Sequence, residues 1–397
     1  MLIGIIGKPS VGKSTFFKAA TLAEVEIASY PFTTIKANHG VGYIKVECID
    51  KEFGVQCNPN HGFCINNWRF VPVDLMHVAG LVPGASEGKG LGNQFLDELS
   101  QADAFIHILD VSGTTDVEGK PAKDYDPCED VIFLEEELDK WYYNIFMRVW
   151  RGFARKTEHE DISFSEAVAK QFSGLKVNEN QVKGVLRKLS FSNKSSMWDN
   201  EQVMKFATEL RKLSKPMFIA ANKSDFPEAK KNIEKMQKQF PDLLIYPCSS
   251  DSELALRQAA KAELIEYLPS SKQFKILKDL TDGQKQALDK IKENVLNVYG
   301  GTGVQEVLNL AVFDLLDYIA VFPVDNVNKL TDSKGNILPD CFLMPKGSTA
   351  LDFAYHLHTD FGNNFIKAVD AKTKQARGKD YELRHRDVLE IVTGGGK

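Results

Sequence analysis

The stretch GKPSVGKS, Gly7 to Ser14, constrains this chain more than any other. It has the spacing GxxxxGK[ST], follows the apolar run Leu2 to Ile6, and leads into FFKAATLAEV, which reads as helix. An apolar strand, a glycine-bracketed turn and a helix in that order make a phosphate cradle. Successive backbone N–H groups curl around phosphate oxygens, and the helix N-terminus adds its partial positive charge. Gly7 and Gly12 bracket the turn, Lys8, Pro9, Ser10 and Val11 form it, and Thr15 stands in the first helical turn. Lys13 is placed to reach the β- and γ-phosphates, and Ser14 to offer its hydroxyl to Mg²⁺. The signature names the phosphates and leaves the base open.

At 397 residues the chain is long enough for two or three domains with their own cores. Its formal charge of −5 argues against wholesale coating of a nucleic acid. No apolar run approaches membrane-spanning length. The first strand begins directly after Met1, which leaves no room for a signal or transit peptide; a cytoplasmic location is the expectation. Six cysteines in so long a chain do not make a disulfide framework. Three of them cluster, however: Cys48, Cys57 and Cys64, with His61 inside CNPNHGFC. Three thiolates and an imidazole suit tetrahedral zinc, but the spacing matches no usual zinc knuckle. A hairpin tip with half-buried thiols reads equally from these residues, and Mg²⁺ is the one metal expected.

Further strands are expected in RFVPVDLMHVAGLV, in AFIHILDV (Ala104 to Val111), in PMFIAANKSD (Pro216 to Asp225) and in LLIYPCSS (Leu243 to Ser250). Strands alternating with helices imply an α/β fold: a mostly parallel sheet with helices on both faces and the ligand at the strand C-termini. Residues 1–117 and 200–275 are read as this P-loop nucleotide-binding domain. Residues 118–199 are read as a helical insertion, in which Leu138, Trp141, Tyr142, Ile145, Val149 and Trp150 recur at helical spacing. Such a stripe is core rather than a base-stacking face. Residues 276–317 read as a helical connector. From Tyr318 the texture changes to short strands crossed by STALDFAYHLHTD, which makes 318–397 a separate small domain. Ser348 or Thr349 can cap that helix, with Asp352 in its first turn.

Asn222-Lys223-Ser224-Asp225 follows the strand PMFIAA and chooses the base. A carboxylate against the base edge accepts from both N1–H and the N2 amino group of guanine. Adenine has no proton at N1, so it would leave that charge unpaired in a desolvated site. Asn222 is expected to brace the phosphate loop, and the stem of Lys223 to cover the base. Ser249 and Ser250, after the next strand, are expected to present a backbone N–H to guanine O6. GTP and GDP are therefore the expected ligands.

Taken in order, GKPSVGKST, YPFTT, VAGLVPGASEGKGLGNQFL, NKSD and the small C-terminal domain resemble the Obg/YchF group of GTPases. The likeness is greatest to the archaeal and fungal branch that carries a TGS domain. The resemblance covers nearly the whole chain. It implies a β-grasp fold for the C-terminal region and association with ribosomes or another RNA-containing partner of translation. The YchF subgroup prefers ATP because its base motif ends in Glu; this chain keeps NKSD, so that preference does not transfer.

By the same resemblance Thr34, rather than Thr33, is the switch threonine that joins Mg²⁺ and feels the γ-phosphate. Gly80 offers its N–H there as well. Two positions depart from the pattern. His77 replaces the aspartate that normally holds Mg²⁺ through water, and Asp74 points to the other face of the strand. Leu81 stands where many GTPases carry a water-orienting glutamine, and a leucine has no polar atom for that task. Slow intrinsic hydrolysis follows. Some relatives use K⁺ held by an asparagine in the phosphate loop; Ser10 occupies that position here, which weakens the case for K⁺. Lys374, Arg377, Lys379, Arg384 and Arg386 gather at one end of the small domain, either as an RNA contact or as plain surface charge. Three readings stand: a translation-associated GTPase switch, an ATP-using P-loop enzyme, and a nucleotide-bound scaffold with negligible turnover.

Overall fold

The computed structural model describes residues 1–21, 39–84, 98–159, 162–191 and 194–394. Strand β1 (Leu2–Ile6) passes through the phosphate loop into α1 (Lys13–Thr21), and β2 (His39–Glu47) follows. A four-residue helix α2 (Asp50–Phe53) precedes the hairpin of β3 (Phe63–Ile65) and β4 (Trp68–His77). After β5 (Ala104–Asp110) come α3 (Pro127–Thr157), α4 (Phe164–Gln171), α5 (Glu179–Leu189) and α6 (Asn200–Ser214). Next are β6 (Met217–Asn222), α7 (Ala229–Gln239), β7 (Ile245–Pro247) and α8 (Ser250–Lys261). A two-stranded ribbon of β8 (Ile265–Glu266) and β9 (Lys275–Ile276) leads to α9 (Asp282–Ile291) and α10 (Val304–Leu310). The chain closes with β10 (Tyr318–Pro323), β11 (Phe342–Pro345), α11 (Ala350–Leu357), α12 (Thr359–Asn363), β12 (Phe365–Asp370), β13 (Ala376–Arg377) and β14 (Asp387–Thr393).

The described residues fall into two compact units, one of 1–20 with 74–307 and the other of 41–73 with 308–394. The cut differs from the boundaries drawn on sequence. Residues 41–73, counted there with the nucleotide-binding domain, pack with the C-terminal strands, because Cys48, Ile49 and Cys57 share a core with Phe322, Val324, Leu338 and Val388.

In the first unit the second half of β4 pairs with β1, β1 with β5, β5 with β6 and β6 with β7, all parallel. Every residue of β5 is buried, as a strand covered on both faces requires. One face packs Ile6, Met76, Leu99 and Phe105 against Leu134, Leu138, Trp141 and Tyr142 of α3. The other packs Leu109, Ile219 and Ile245 against Val131, Ile233 and Met236. The aromatic stripe is core: Phe146 stacks on Phe172 at 3.9 Å and Trp150 on Trp198 at 5.5 Å. Val149 departs from it and lies exposed. Capping boxes at Asn178 and Asp199 start α5 and α6, each satisfying two orphan N-terminal N–H groups.

In the second unit the sheet order is β11-β10-β14-β12-β13, mixed, with only β10 and β14 parallel. Thr349 caps α11 reciprocally with Asp352, and Ala350 and Phe353 pack into the core of the sheet. The short strands and the helix expected after Tyr318 are present, with a second short helix, α12, following α11. The basic end of this domain is largely spent within the protein. Arg386 pairs with Glu47 and Glu52, Arg377 with Asp370, and Lys374 donates to the Val327 carbonyl, while Lys379 and Arg384 stay exposed.

Candidate nucleotide-binding site

The phosphate loop joins β1 to α1 at the C-terminal edge of the parallel sheet. Gly7 and Gly12 have φ of +144° and +96°, a region that favours glycine. A Cβ on Gly7 would stand 2.4 Å from the Ile108 carbonyl oxygen, and one on Gly12 would stand 2.3 Å from Asn222 Nδ2. Pro9 is seated between two more glycines, since a Cβ on Gly80 or Gly119 would approach it to 2.8 and 2.7 Å.

The two loop lysines have different tasks. Lys13 donates to the Lys8 carbonyl at 2.6 Å, and burial lowers its pKa to about 8. Lys8, counted among the nucleotide contacts, turns its side chain away from the loop. Its ammonium pairs with buried Asp130 at 2.8 Å, donates to the Thr115 carbonyl and lies over the Tyr125 ring. Only its backbone is left to face a phosphate, and its side chain ties the loop to α3.

His77, at the end of β4, sets its Nε2 3.0 Å from Ser14 Oγ, so it reaches the hydroxyl that the sequence assigns to Mg²⁺. Burial and then the Lys13 charge lower its pKa, which leaves the imidazole neutral. Leu81 gives its N–H to the Gly7 carbonyl at 3.1 Å and buries its side chain beside Ile6, Met76 and Leu99. The Leu81 side chain therefore faces core. Thr33, Thr34 and Lys89 lie outside the described residues.

The base motif closes onto the loop. Asn222 donates to the Val11 carbonyl at 2.8 Å, the bracing expected of it. Its Oδ1 accepts from Ser250 N and Ser250 Oγ. Ser249 N–H donates to the Thr302 carbonyl, and Ser249 Oγ donates to Asp225 Oδ1 at 2.8 Å. The backbone N–H groups of both serines, expected to meet guanine O6, bond within the protein in this structure. The pair orients Asn222 and Asp225.

Lys223, at φ +61°, anchors its ammonium on Asp110 at 2.8 Å. Asp110 was missed on sequence. It ends β5 and also accepts from Ser112 and Thr115, and these partners with Lys223 outweigh burial and hold it below the usual carboxylate range. The small polar run VSGTT after a buried strand was the available signal.

Three family models match the chain: a 50S ribosome-binding GTPase over residues 2–140, the G4 motif-containing domain of the YGR210-like Obg-like GTPases over 220–326, and a TGS domain over 331–393. An uncharacterized GTP-binding protein of Methanocaldococcus jannaschii is 49% identical over 394 residues, 99% of each chain. The ribosome-binding ATPase YchF of Bacillus subtilis is 27% identical, with 98% of each chain covered. The crystal structure of a GTP binding protein from Pyrococcus horikoshii OT3 matches with a TM-score of 0.81 at 40% identity, covering 99% of this chain and all of that one.

Proposed function

This chain belongs to the Obg/YchF-like P-loop GTP-binding proteins that carry a TGS domain, and we propose that within that family it is a guanine-selective switch with slow intrinsic turnover. The observation that carries the reading is Asp225, held by Ser249 Oγ at 2.8 Å beside an Asn222 already locked onto the phosphate loop. A carboxylate fixed in that way is an acceptor for N1–H and N2–H of guanine and a mismatch for adenine. Lys223, pinned at its far end by Asp110, offers its aliphatic stem to the base.

Phosphates would rest on the backbone of the loop with Lys13 as their cation, released from the Lys8 carbonyl. Mg²⁺, when bound, neutralises charge between the β- and γ-phosphates; Ser14 and Thr34 are the side chains that would hold it. The donor set fits a weakly held ion, since a neutral imidazole stands where a carboxylate is usual. Turnover is slow in this reading because Leu81 is buried and no side chain at that position can aim a water.

The ribosome-binding names in the family suggest that a ribosomal partner completes the geometry. Single-turnover GTP cleavage, measured alone and with purified ribosomal subunits, tests this part: slow cleavage alone and faster cleavage with subunits is the expected result. Fast cleavage by the isolated chain, unchanged by subunits, would favour a self-sufficient enzyme.

A further inference from the structure

The second unit holds a side-chain cluster that the nucleotide site does not use. Cys48 directly follows β2, and its N–H donates to the Asn67 carbonyl at 2.8 Å. Asp50 opens α2. Cys57 lies on a loop whose neighbours Asn58 and Asn60 donate to the carbonyls of Ile337 and Pro339, both at 2.8 Å. Cys64 is the middle residue of β3, in a hairpin turned by Asn66 and Asn67 at φ +51° and +62°, the signature of a tight two-residue turn. Three separate stretches of chain, 48–50, 57 and 64, thus converge on one point.

Their donor atoms, three sulfurs and one carboxylate oxygen, all lie within 4.8 Å of one another. Cys48 Sγ is 3.7 Å from Cys57 Sγ, and Cys64 Sγ is 3.6 Å from Asp50 Oδ2. Metal–thiolate bonds of about 2.3 Å at tetrahedral angles set edges of about 3.8 Å between sulfurs and about 3.5 Å between sulfur and oxygen. A disulfide would need about 2.05 Å, and all the cysteines are free. Asn67 Nδ2 donates to Asp50 Oδ1 at 3.1 Å, which orients the carboxylate and leaves Oδ2 toward Cys64, the outer-sphere support typical of a ligating carboxylate.

A buried cation lies beside the cluster. Arg69 stands opposite Cys64 in the hairpin and is fully buried. Its guanidinium donates to the Leu338 and Pro339 carbonyls, and its Nε has no partner. Among the described residues no carboxylate forms an ion pair with it; Cys341, Cys48, Cys57 and Cys64 lie near its charge, and so does the carboxylate of Asp340.

We propose that Cys48, Asp50, Cys57 and Cys64 bind one Zn²⁺, which clamps the end of β2 to the β3–β4 hairpin. Sulfur donors exclude Mg²⁺ and Ca²⁺, and a tetrahedral S₃O set suits zinc. Four protein ligands leave no open position, so the ion is structural. Asp50 takes the place that sequence spacing offered to His61, which is not a member of the cluster.

The test is metal analysis of the full-length chain purified without chelator, followed by replacement with Co²⁺. One zinc per chain is expected, with the visible bands of tetrahedral Co²⁺ and thiolate charge transfer in the near ultraviolet. In competition with a chromophoric chelator, Cys64→Ser should weaken zinc binding by at least roughly 100-fold, and Asp50→Asn by roughly 10-fold or more. His61→Ala should leave it unchanged. Should Cys64→Ser fail to fold, the Co²⁺ spectrum of the native chain decides alone. Absence of stoichiometric zinc together with no charge transfer on adding Co²⁺, a Cys48–Cys57 disulfide in the native protein, or zinc loss in His61→Ala would each overturn the assignment.

Discussion

His77 carries the sharpest consequence of a single residue. Its Nε2 lies 3.0 Å from Ser14 Oγ, and burial with the Lys13 charge keeps it neutral. His77→Asp returns a negative charge to that spot and should lower the Mg²⁺ concentration needed for half-maximal GTP binding by roughly tenfold, about 1.4 kcal/mol. An unchanged Mg²⁺ titration would show that His77 is no deficit. His107 tests the interior beside the loop. It is wholly buried in β5, its Nδ1 has no partner, and burial, then the charges of Lys13 and Lys8, pushes its pKa down to about 3. An unfolded histidine titrates near 6.5, so the unfolded chain binds more protons between those values. Stability is then fully present above about pH 6.5 and is lost as pH falls toward 3, by on the order of 4 kcal/mol. Urea unfolding at pH 7 and pH 4 should show a smaller drop for His107→Gln than for the native chain; equal drops would remove His107 from the acid response.

At the scale of elements, the Lys8–Asp130 pair at 2.8 Å fastens the phosphate loop to α3, with both side chains buried. Lys8→Met strands a carboxylate whose pKa burial already raises, and should cost about 3–5 kcal/mol. Adding Asp130→Leu should recover most of that loss in denaturant unfolding; no recovery would mean that Lys8 acts through something else. This contact also marks where sequence reading stops. The loop glycines, Lys13, Ser14 and the NKSD run were legible because their spacing alone sets backbone geometry and chemistry. Thr349 was legible as a cap because its partner Asp352 is three residues away. Asp130 and Asp110 were not, because each meets its lysine more than a hundred residues away in sequence, through the β1–β5–β6 pairing and the packing of α3. Asp50 is near in sequence, two residues from Cys48 and 14 from Cys64, but the spacing pointed to His61, and only the closing of β2 against the hairpin turn aims its carboxylate at Cys64.

Over the whole molecule, the sheet edge of the first unit brings a loop near residue 10, a strand end near 110 and two loops near 222 and 249 into one site. The second unit gathers 41–73 with the C-terminal domain, a grouping that followed chain order could not reveal. Among the described residues no helix is long and apolar enough to cross a membrane. Base choice is the property that most separates this chain from its relatives, which carry both GTP-binding and ATPase names. The direct measurement is the equilibrium affinity of GTP, ATP and XTP for the native chain and for Asp225→Asn. The native chain should bind GTP at least roughly 100-fold more tightly than ATP. Asp225→Asn should lose about 3 kcal/mol for GTP and gain affinity for XTP, whose C2 carbonyl accepts from the new amide. Equal native affinities for GTP and ATP, or an Asp225→Asn chain with unchanged preference, would contradict the assignment of Asp225 to the base.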